Sequence, residues 1–382
     1  MTVGVLQERL PGERRVSLVP VHVGDLTRAG LTVLLEAGAG DASGYSDAAY
    51  RDKGAEIAGS ADEVTPRADV LLTVRYAAAA DTPASDVDRL REGCVVIGYL
   101  DPYEPHTSFA RLRDRSISSF SMELVPRITR AQSMDALSSM ANLAGYKAAI
   151  IAADHLPKMF PMMMTAAGTI VPARAFVVGV GVAGLQAIAT LKRLGALVSA
   201  YDVRPAVKEQ VQSLGAKFVE MALETGDAEG SGGYARAMDE EFYRKQRELM
   251  TSVLAESNVV ITTAAVPGRT APTLVTGAMV EQMPRGSVIV DLAAERGGNC
   301  ELTQTGQVVE HHGVTIVGPL NLASSLAHDA SQLYSRNITT FLLALLRDGE
   351  LTIDQADEIV AATLVTHGGS VPNEEIRSRL QL

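Results

Sequence analysis

The chain has 382 residues, 47% of them hydrophobic and 21% charged, a composition that predicts a soluble globular protein too long for one hydrophobic core and therefore two domains. A formal net charge of −11 excludes a nucleic-acid partner, whose phosphates need a basic face. The two cysteines, Cys94 and Cys300, lie far apart and exclude both a disulfide framework and a thiolate metal site, which fits a reducing cytosol.

The N-terminus, MTVGVLQERLPGERR, lacks the apolar core of a signal peptide and begins as a strand. No run approaches the ~20 apolar residues needed to span a bilayer. Met162–Met164 and Phe341–Leu346 are far shorter and read as core. If the protein serves a membrane process, another chain must do the spanning.

Residues 1–122 alternate strands and helices. Val3–Leu6, Thr32–Leu35, Val70–Val74, Val95–Leu100 and Ile117–Phe120 read as strands, with helices such as Pro20–Ala29 and His106–Arg115 between them. That rhythm predicts a parallel sheet covered by helices on both faces. A polar loop follows Pro126, and a long helix runs from about Met134 to Leu156, ending before Pro157. Its small residues Ala136, Ala141, Ala144 and Ala148 suit close packing against another helix, so the domain crossing is placed here.

The stretch RAFVVGVGVAGLQAIATLKRLGALVSAYD, Arg174 to Asp202, organises the second domain. Ala175–Val178 reads as a buried strand, Leu185–Leu194 as a helix and Leu197–Tyr201 as the next strand. Gly179, Gly181 and Gly184 stand between the first two in the spacing G-x-G-x-x-G. The first glycine makes a tight turn, the second admits a pyrophosphate to the backbone, and the third lets helix and strand pack closely. The helix start offers N–H groups and a positive dipole end to phosphates, with Val182 and Ala183 of the fingerprint just before it among the expected cofactor-binding residues. Asp202 sits at the second strand's tip, where it can take hydrogen bonds from ribose hydroxyls and repel a 2′-phosphate. That favours NAD(H) over NADP(H), with Val203 and Arg204 beside it. In this context of strand, helix and answering acid the fingerprint is a specific signal.

Further strands are expected at Lys217–Met221, Asn258–Thr263, Ser287–Leu292 and Thr315–Val317, with a helix at Val207–Leu214. Asp329–Leu346 reads as a long helix returning the chain to the first domain, and the tail Thr352–Leu382 ends in a polar, charged stretch expected to be poorly ordered. The expected fold is α/β: two doubly wound Rossmann-like domains with parallel sheets, joined by long crossing helices. The first comprises residues 1–137 and 328–382, the second, NAD(H)-binding, residues 138–327. Leu223–Glu241 breaks the rhythm with four glycines around Tyr234, as functional loops do. The seven histidines show no metal-ligand spacing, and no metal site is expected.

Several blocks together, PRITRAQSMDALSSMANLAGYKA, FPMMMTAAGT, GVGVAGLQAIATLKRLGA, VKEQVQSLGAKF, GGYARAMDEEF and DLAAERGGNCE, resemble the soluble NAD(H)-binding component of proton-translocating NAD(P) transhydrogenase. The resemblance runs along nearly the whole chain. It implies a Re/Si-specific enzyme in which NADH held here gives hydride to NADP held on a partner subunit, coupled to proton movement through a membrane-spanning part. It also implies a homodimer, peripheral on the cytoplasmic side of the inner membrane through those partners. Arg127, Gln132, Asp135 and Ser138 then form a loop over the nicotinamide end. Asp135 has the right sign to face an oxidised ring, Gln132 can bridge ribose and amide, and Arg127 can bind oxygens by its fork. Tyr234 falls in a mobile loop that closes over nucleotide, and Ala264, Ala265, Pro267 and Gly268 line the adenine and ribose pocket.

Alanine dehydrogenase shares this architecture and is the alternative reading. Arg15 matches its substrate-binding arginine, but Tyr99 stands where its catalytic histidine is expected, Arg75 where a lysine is expected, and Glu295 at the acid of the DLAAERGG segment. Losing the histidine removes the best acid/base near neutral pH. A non-catalytic NAD-binding regulatory subunit is a second alternative.

Overall fold

The computed structural model describes residues 1–76, 88–103, 107–220, 240–265 and 268–380. The chain divides into two compact units, one of Met1–Met140 with Ala323–Leu382 and one of Ala141–Leu322. Each holds a seven-stranded sheet.

In the first unit, β1 (Thr2–Val5), β2 (Thr32–Glu36), β3 (Glu56–Ala58), β4 (Val70–Arg75), β5 (Val95–Tyr99) and β6 (Ser118–Ser121) pair in parallel in the order β6-β5-β4-β1-β2-β3. Strands such as VLLTVR are apolar on both faces because helices cover both, which is why they read as continuous hydrophobic runs. The seventh strand, Leu364–Thr366, adds antiparallel to β6.

That strand corrects the expectation of a poorly ordered tail. The helices Glu358–Thr363 and Glu374–Leu380 flank it, and Val365, Val371 and Ile376 enter the core with Leu71, Val96 and Leu112. The acids that made the tail look solvated have local tasks. Asp357 caps its helix by accepting from Ile359 N and Val360 N, and it takes the Arg130 guanidinium in a bidentate pair at 2.7 and 3.0 Å.

In the second unit, a two-stranded hairpin of β7 (Met163–Thr165) and β8 (Gly168–Ile170) precedes the sheet. Here Met162–Met164 are not core: Met162 is 61% and Met164 73% exposed. A ribbon of two strands with no third beside it offers no layer to bury an apolar run. The sheet proper contains β9 (Arg174–Val178), β10 (Leu197–Tyr201), β11 (Lys217–Phe218), β12 (Val259–Thr262), β13 (Val288–Asp291), β14 (Val308–His311) and β15 (Val314–Val317), in the order β11-β10-β9-β12-β13-β15-β14. All pair in parallel except β14, which returns antiparallel to β15 through a turn at His312 and Gly313, both with positive φ. Each sheet is thus parallel but for one antiparallel edge.

Alternation along these strands makes two apolar layers. Val177, Ile261 and Val290 face one, with Ala148, Ala149 and Ala152 of the helix Ala136–His155. Phe176, Val260 and Ile289 face the other, with Met250 and Leu254 of the helix Glu240–Leu254. Small residues let the first of those helices come very close to the helix Val182–Arg193. A Cβ placed on Gly145 would stand 2.1 Å from the carbonyl oxygen of Ala183. Gly145→Ala is therefore expected to destabilise this unit by about 1–3 kcal/mol through overpacking. An unchanged denaturation midpoint would show that the helices part at no cost.

Candidate functional site

The site grows from the ends of β9, β10, β12 and β13, the carboxyl edge where open α/β sheets bind ligands. After β9 the chain turns at Gly179 with φ +91°, a conformation that side chains disfavour. Gly179 N donates to Tyr201 O at 2.9 Å, and Thr263 Oγ1 donates to Gly179 O at 2.8 Å, so the turn is tied on both sides. Gly184 passes so near that its Cβ would lie 2.0 Å from that same oxygen.

Gly181 behaves differently from its neighbours. It is the N-cap of the helix Val182–Arg193, offers no capping side chain, and a Cβ there would meet nothing within 4 Å. Val182, Ala183 and Gly184 form the first turn of that helix, whose N–H groups have no intrahelical partners. A cradle bare of side chains, fronted by open space and a helix N-terminus, fits a pyrophosphate.

Asp202, at the tip of β10, is more engaged than a waiting ribose ligand. Its carboxylate accepts Val180 N at 2.7 Å and Arg204 N at 2.9 Å. The Arg204 guanidinium closes on it as a fork, Nε to Oδ1 at 2.9 Å and Nη2 to Oδ2 at 2.8 Å. Val203 between them is half-buried against the core.

On the β12 side, Ala264 is half-buried, Ala265 exposed, and Gly268 has φ +67°. What positions them is Asn299, a residue to which sequence reasoning assigned no role. Its Oδ1 accepts Ala264 N at 2.9 Å, and its Nδ2 donates to Ala264 O at 2.8 Å and to Pro272 O at 2.9 Å. Asn299 is held in turn by Asp291 at the end of β13. That wholly buried carboxylate accepts from the backbone of Ala293, Asn299 and Cys300 and from the hydroxyls of Thr262 and Thr303. The clue in the sequence was an acid closing a strand, followed by a glycine pair and an amide. Tyr234 and Pro267 lie outside the described residues.

Arg127, Gln132, Asp135 and Ser138, expected over the nicotinamide end, lie in the first unit. The segment Thr129–Met134 is a 3₁₀ stretch with Ala131 and Met134 buried, and Asn337 Nδ2 donates to Ser133 O at 2.9 Å. Arg127 and Gln132 are exposed. Asp135 precedes the long helix, accepting Ser138 N at 2.8 Å and Ser138 Oγ at 2.6 Å. It is thus a helix cap whose partner, Ser138, is another of the proposed site residues.

The residues of the alternative reading also lie mostly in the first unit. Arg15 is buried in a bidentate pair with Glu13, Nε to Oε1 at 2.8 Å and Nη2 to Oε2 at 2.7 Å. Its guanidinium carbon is 6.0 Å from the centre of the Tyr99 ring, which tilts against Tyr334 at 5.1 Å. The Tyr99 hydroxyl is buried without a hydrogen-bond partner among the described residues, and burial pushes its phenol well above the ordinary value. Arg75 donates its backbone N–H to buried Glu8. Glu295, in the second unit, accepts from Asn321 N.

Against known proteins, the chain matches the alanine dehydrogenase/PNT N-terminal domain over residues 4–144 and the C-terminal domain over 148–374. The chain belongs to the alanine dehydrogenase/PNT family. It is 44% identical to the first part of NAD(P) transhydrogenase subunit alpha of Rickettsia prowazekii, an alignment covering all of this chain and 98% of the relative. The crystal structure of transhydrogenase from Sinorhizobium meliloti superposes with a TM-score of 0.87 at 47% identity, over 97% of this chain and 100% of that one. The alanine dehydrogenase of Mycobacterium tuberculosis is 28% identical over all of this chain and 97% of its own length. Within the family the chain therefore stands with the transhydrogenase alpha subunits.

Asn299→Ala removes the clamp on Ala264 and leaves its half-buried N–H and C=O without their side-chain partner, which costs at most about 1–3 kcal/mol. Hydrogen exchange is expected to show faster loss of protection at the Ala264 amide than along β12. Unchanged protection would mean the loop is held by something else.

Proposed function

We propose that the chain is the NAD(H)-binding subunit of a proton-translocating NAD(P) transhydrogenase, handing hydride from NADH to NADP⁺ held by a partner subunit. The observation that carries this reading is the bare-backbone cradle at Gly179, Gly181 and Gly184, in a chain akin over its whole length to transhydrogenase alpha subunits. The relative from Rickettsia prowazekii is named as one portion of an alpha subunit, which speaks of further subunits. Among the described residues no helix is long and apolar enough to cross a membrane, so the spanning part and the NADP(H) site are assigned to those partners. A homodimer at the cytoplasmic face belongs to the same reading.

Each group has a task in this reading. Val182, Ala183 and Gly184 bind the pyrophosphate by their N–H groups. Asp202, Val203 and Arg204 hold the adenosine ribose end, and Ala264, Ala265 and Gly268 line the adenine side; the expected parts of Pro267 and Tyr234 fall outside the described residues. Bound NAD(H) supplies the hydride. Asp135, oriented by Ser138, puts negative charge where the oxidised ring is positive, while Gln132 and Arg127 fix the ring's attitude. Hydride transfer between two nicotinamides needs no proton donor, only faces held roughly 3–3.5 Å apart.

Alanine dehydrogenase chemistry needs a proton moved near neutrality as well as a hydride. Tyr99 occupies the position for that task, and burial drives its phenol in the direction opposite to the one required. That weighs against the alternative despite Arg15.

Mixing the NADH-loaded chain with its NADP⁺-loaded partner subunit is the deciding experiment. Rapid transfer supports the proposal. Pyruvate-dependent NADH oxidation would make the protein an alanine dehydrogenase, and neither activity would make it a regulatory subunit. Asp135→Asn and Arg127→Ala are expected to slow single-turnover transfer about 10- to 100-fold, as small misplacements of reacting groups do, with a smaller change in NADH affinity. If affinity collapses while the rate survives, the orienting role is wrong.

A further inference from the structure

Adenosine ribose is read in two ways at this position in such folds. An acid at the strand tip takes the hydroxyls of NAD, or a nearby arginine accommodates the 2′-phosphate of NADP. This chain carries both, two residues apart and in contact. The fork of Arg204 is closed on both oxygens of Asp202, and Nη2 also reaches Val180 O at 3.3 Å on the fingerprint turn. The two side chains are only 16% and 6% exposed. A forked pair of this kind is geometrically specific and among the stronger hydrogen-bonded arrangements.

Charge decides what such a pair can do. A lone carboxylate repels a 2′-phosphate, but one closed by a guanidinium is locally neutral, so repulsion alone gives little discrimination. A phosphate arriving here instead meets an arginine of the right chemistry whose fork is already filled. We infer that Arg204 is a latent 2′-phosphate ligand, and that Asp202 selects NAD(H) chiefly by occupying it. This rests on the proposed dinucleotide site and adds the residue that sets its specificity. The carboxylate thus fixes the Val180 turn, accepts the Arg204 amide and keeps the guanidinium turned inward.

The test is a double-mutant cycle on the full chain, with dissociation constants for NADH and NADPH measured by nucleotide fluorescence. Asp202→Asn keeps an oxygen for Val180 N but gives up the ion pair. It is expected to tighten NADPH binding about 10-fold or more, the scale of one charge-assisted hydrogen bond. Asp202→Asn with Arg204→Gln is expected to lose that gain. Arg204→Gln alone exposes the carboxylate charge and is expected to weaken NADPH binding about 10-fold, with NADH changed less. Equal NADPH affinity in Asp202→Asn and the double variant overturns the inference. So does wild-type NADPH affinity in Arg204→Gln, which keeps the test decisive if Asp202→Asn fails to fold. Wild-type protein that binds no NADH would instead sink the proposed function.

Discussion

The second unit depends on one steric fact: three stretches of backbone pass within touching distance at the end of β9. Gly184 lies on the carbonyl of Gly179, Gly179 lies on Thr263 at the end of β12, and Gly145 lies on Ala183. A side chain at any of the three would have to occupy space already filled by backbone or by Thr263. Because none does, the helix Val182–Arg193 starts hard against the sheet, with its first N–H groups at the carboxyl edge. The anion-binding property of a helix N-terminus follows from that placement. No cationic side chain is required for it.

Around this contact the strand ends are fastened by acids rather than by apolar packing. Asp202 ties the turn after β9 to the tip of β10, and Asp291 ties the loop after β13, through Asn299, to the loop after β12. Burying a carboxylate is costly unless its lone pairs are met. Asp291 meets that condition with backbone and hydroxyl donors alone. In both places a carboxylate at a strand end is met by donors from the neighbouring backbone.

Much of this was legible in the amino-acid order, and what was not has physical causes. Buried parallel strands read as apolar runs, and the first and third fingerprint glycines read correctly as turn and packing positions. The strand Glu56–Ala58 and the final strand Leu364–Thr366 escaped because three residues are too few for a periodic signal. The tail misled because capping acids such as Asp357 look like solvated surface. The methionines of the hairpin misled because hydrophobicity predicts burial only where a further layer exists. Within the site, the acid, glycine pair and amide that lead to Asn299 gave only a faint signal, because its partners lie in another loop. The Arg204–Asp202 pair was visible as adjacency, but only the fork geometry shows that each occupies the other.

The first unit bears on function in a different way. A fold shared by two enzyme activities does not choose between them, since activity belongs to particular side chains. Here the choice falls on a buried polar cluster in which Arg15 is held by Glu13 and Tyr99 is packed against Tyr334. A histidine in such surroundings could exchange a proton near neutral pH, because desolvation and a neighbouring carboxylate move it only modestly across its range. A phenol starts about three to four pH units higher, and burial moves it further away. A phenol so placed is poorly suited to exchanging a proton near neutrality. That environment agrees better with the proposed hydride passage between two nicotinamides, which needs no proton at the reacting carbons.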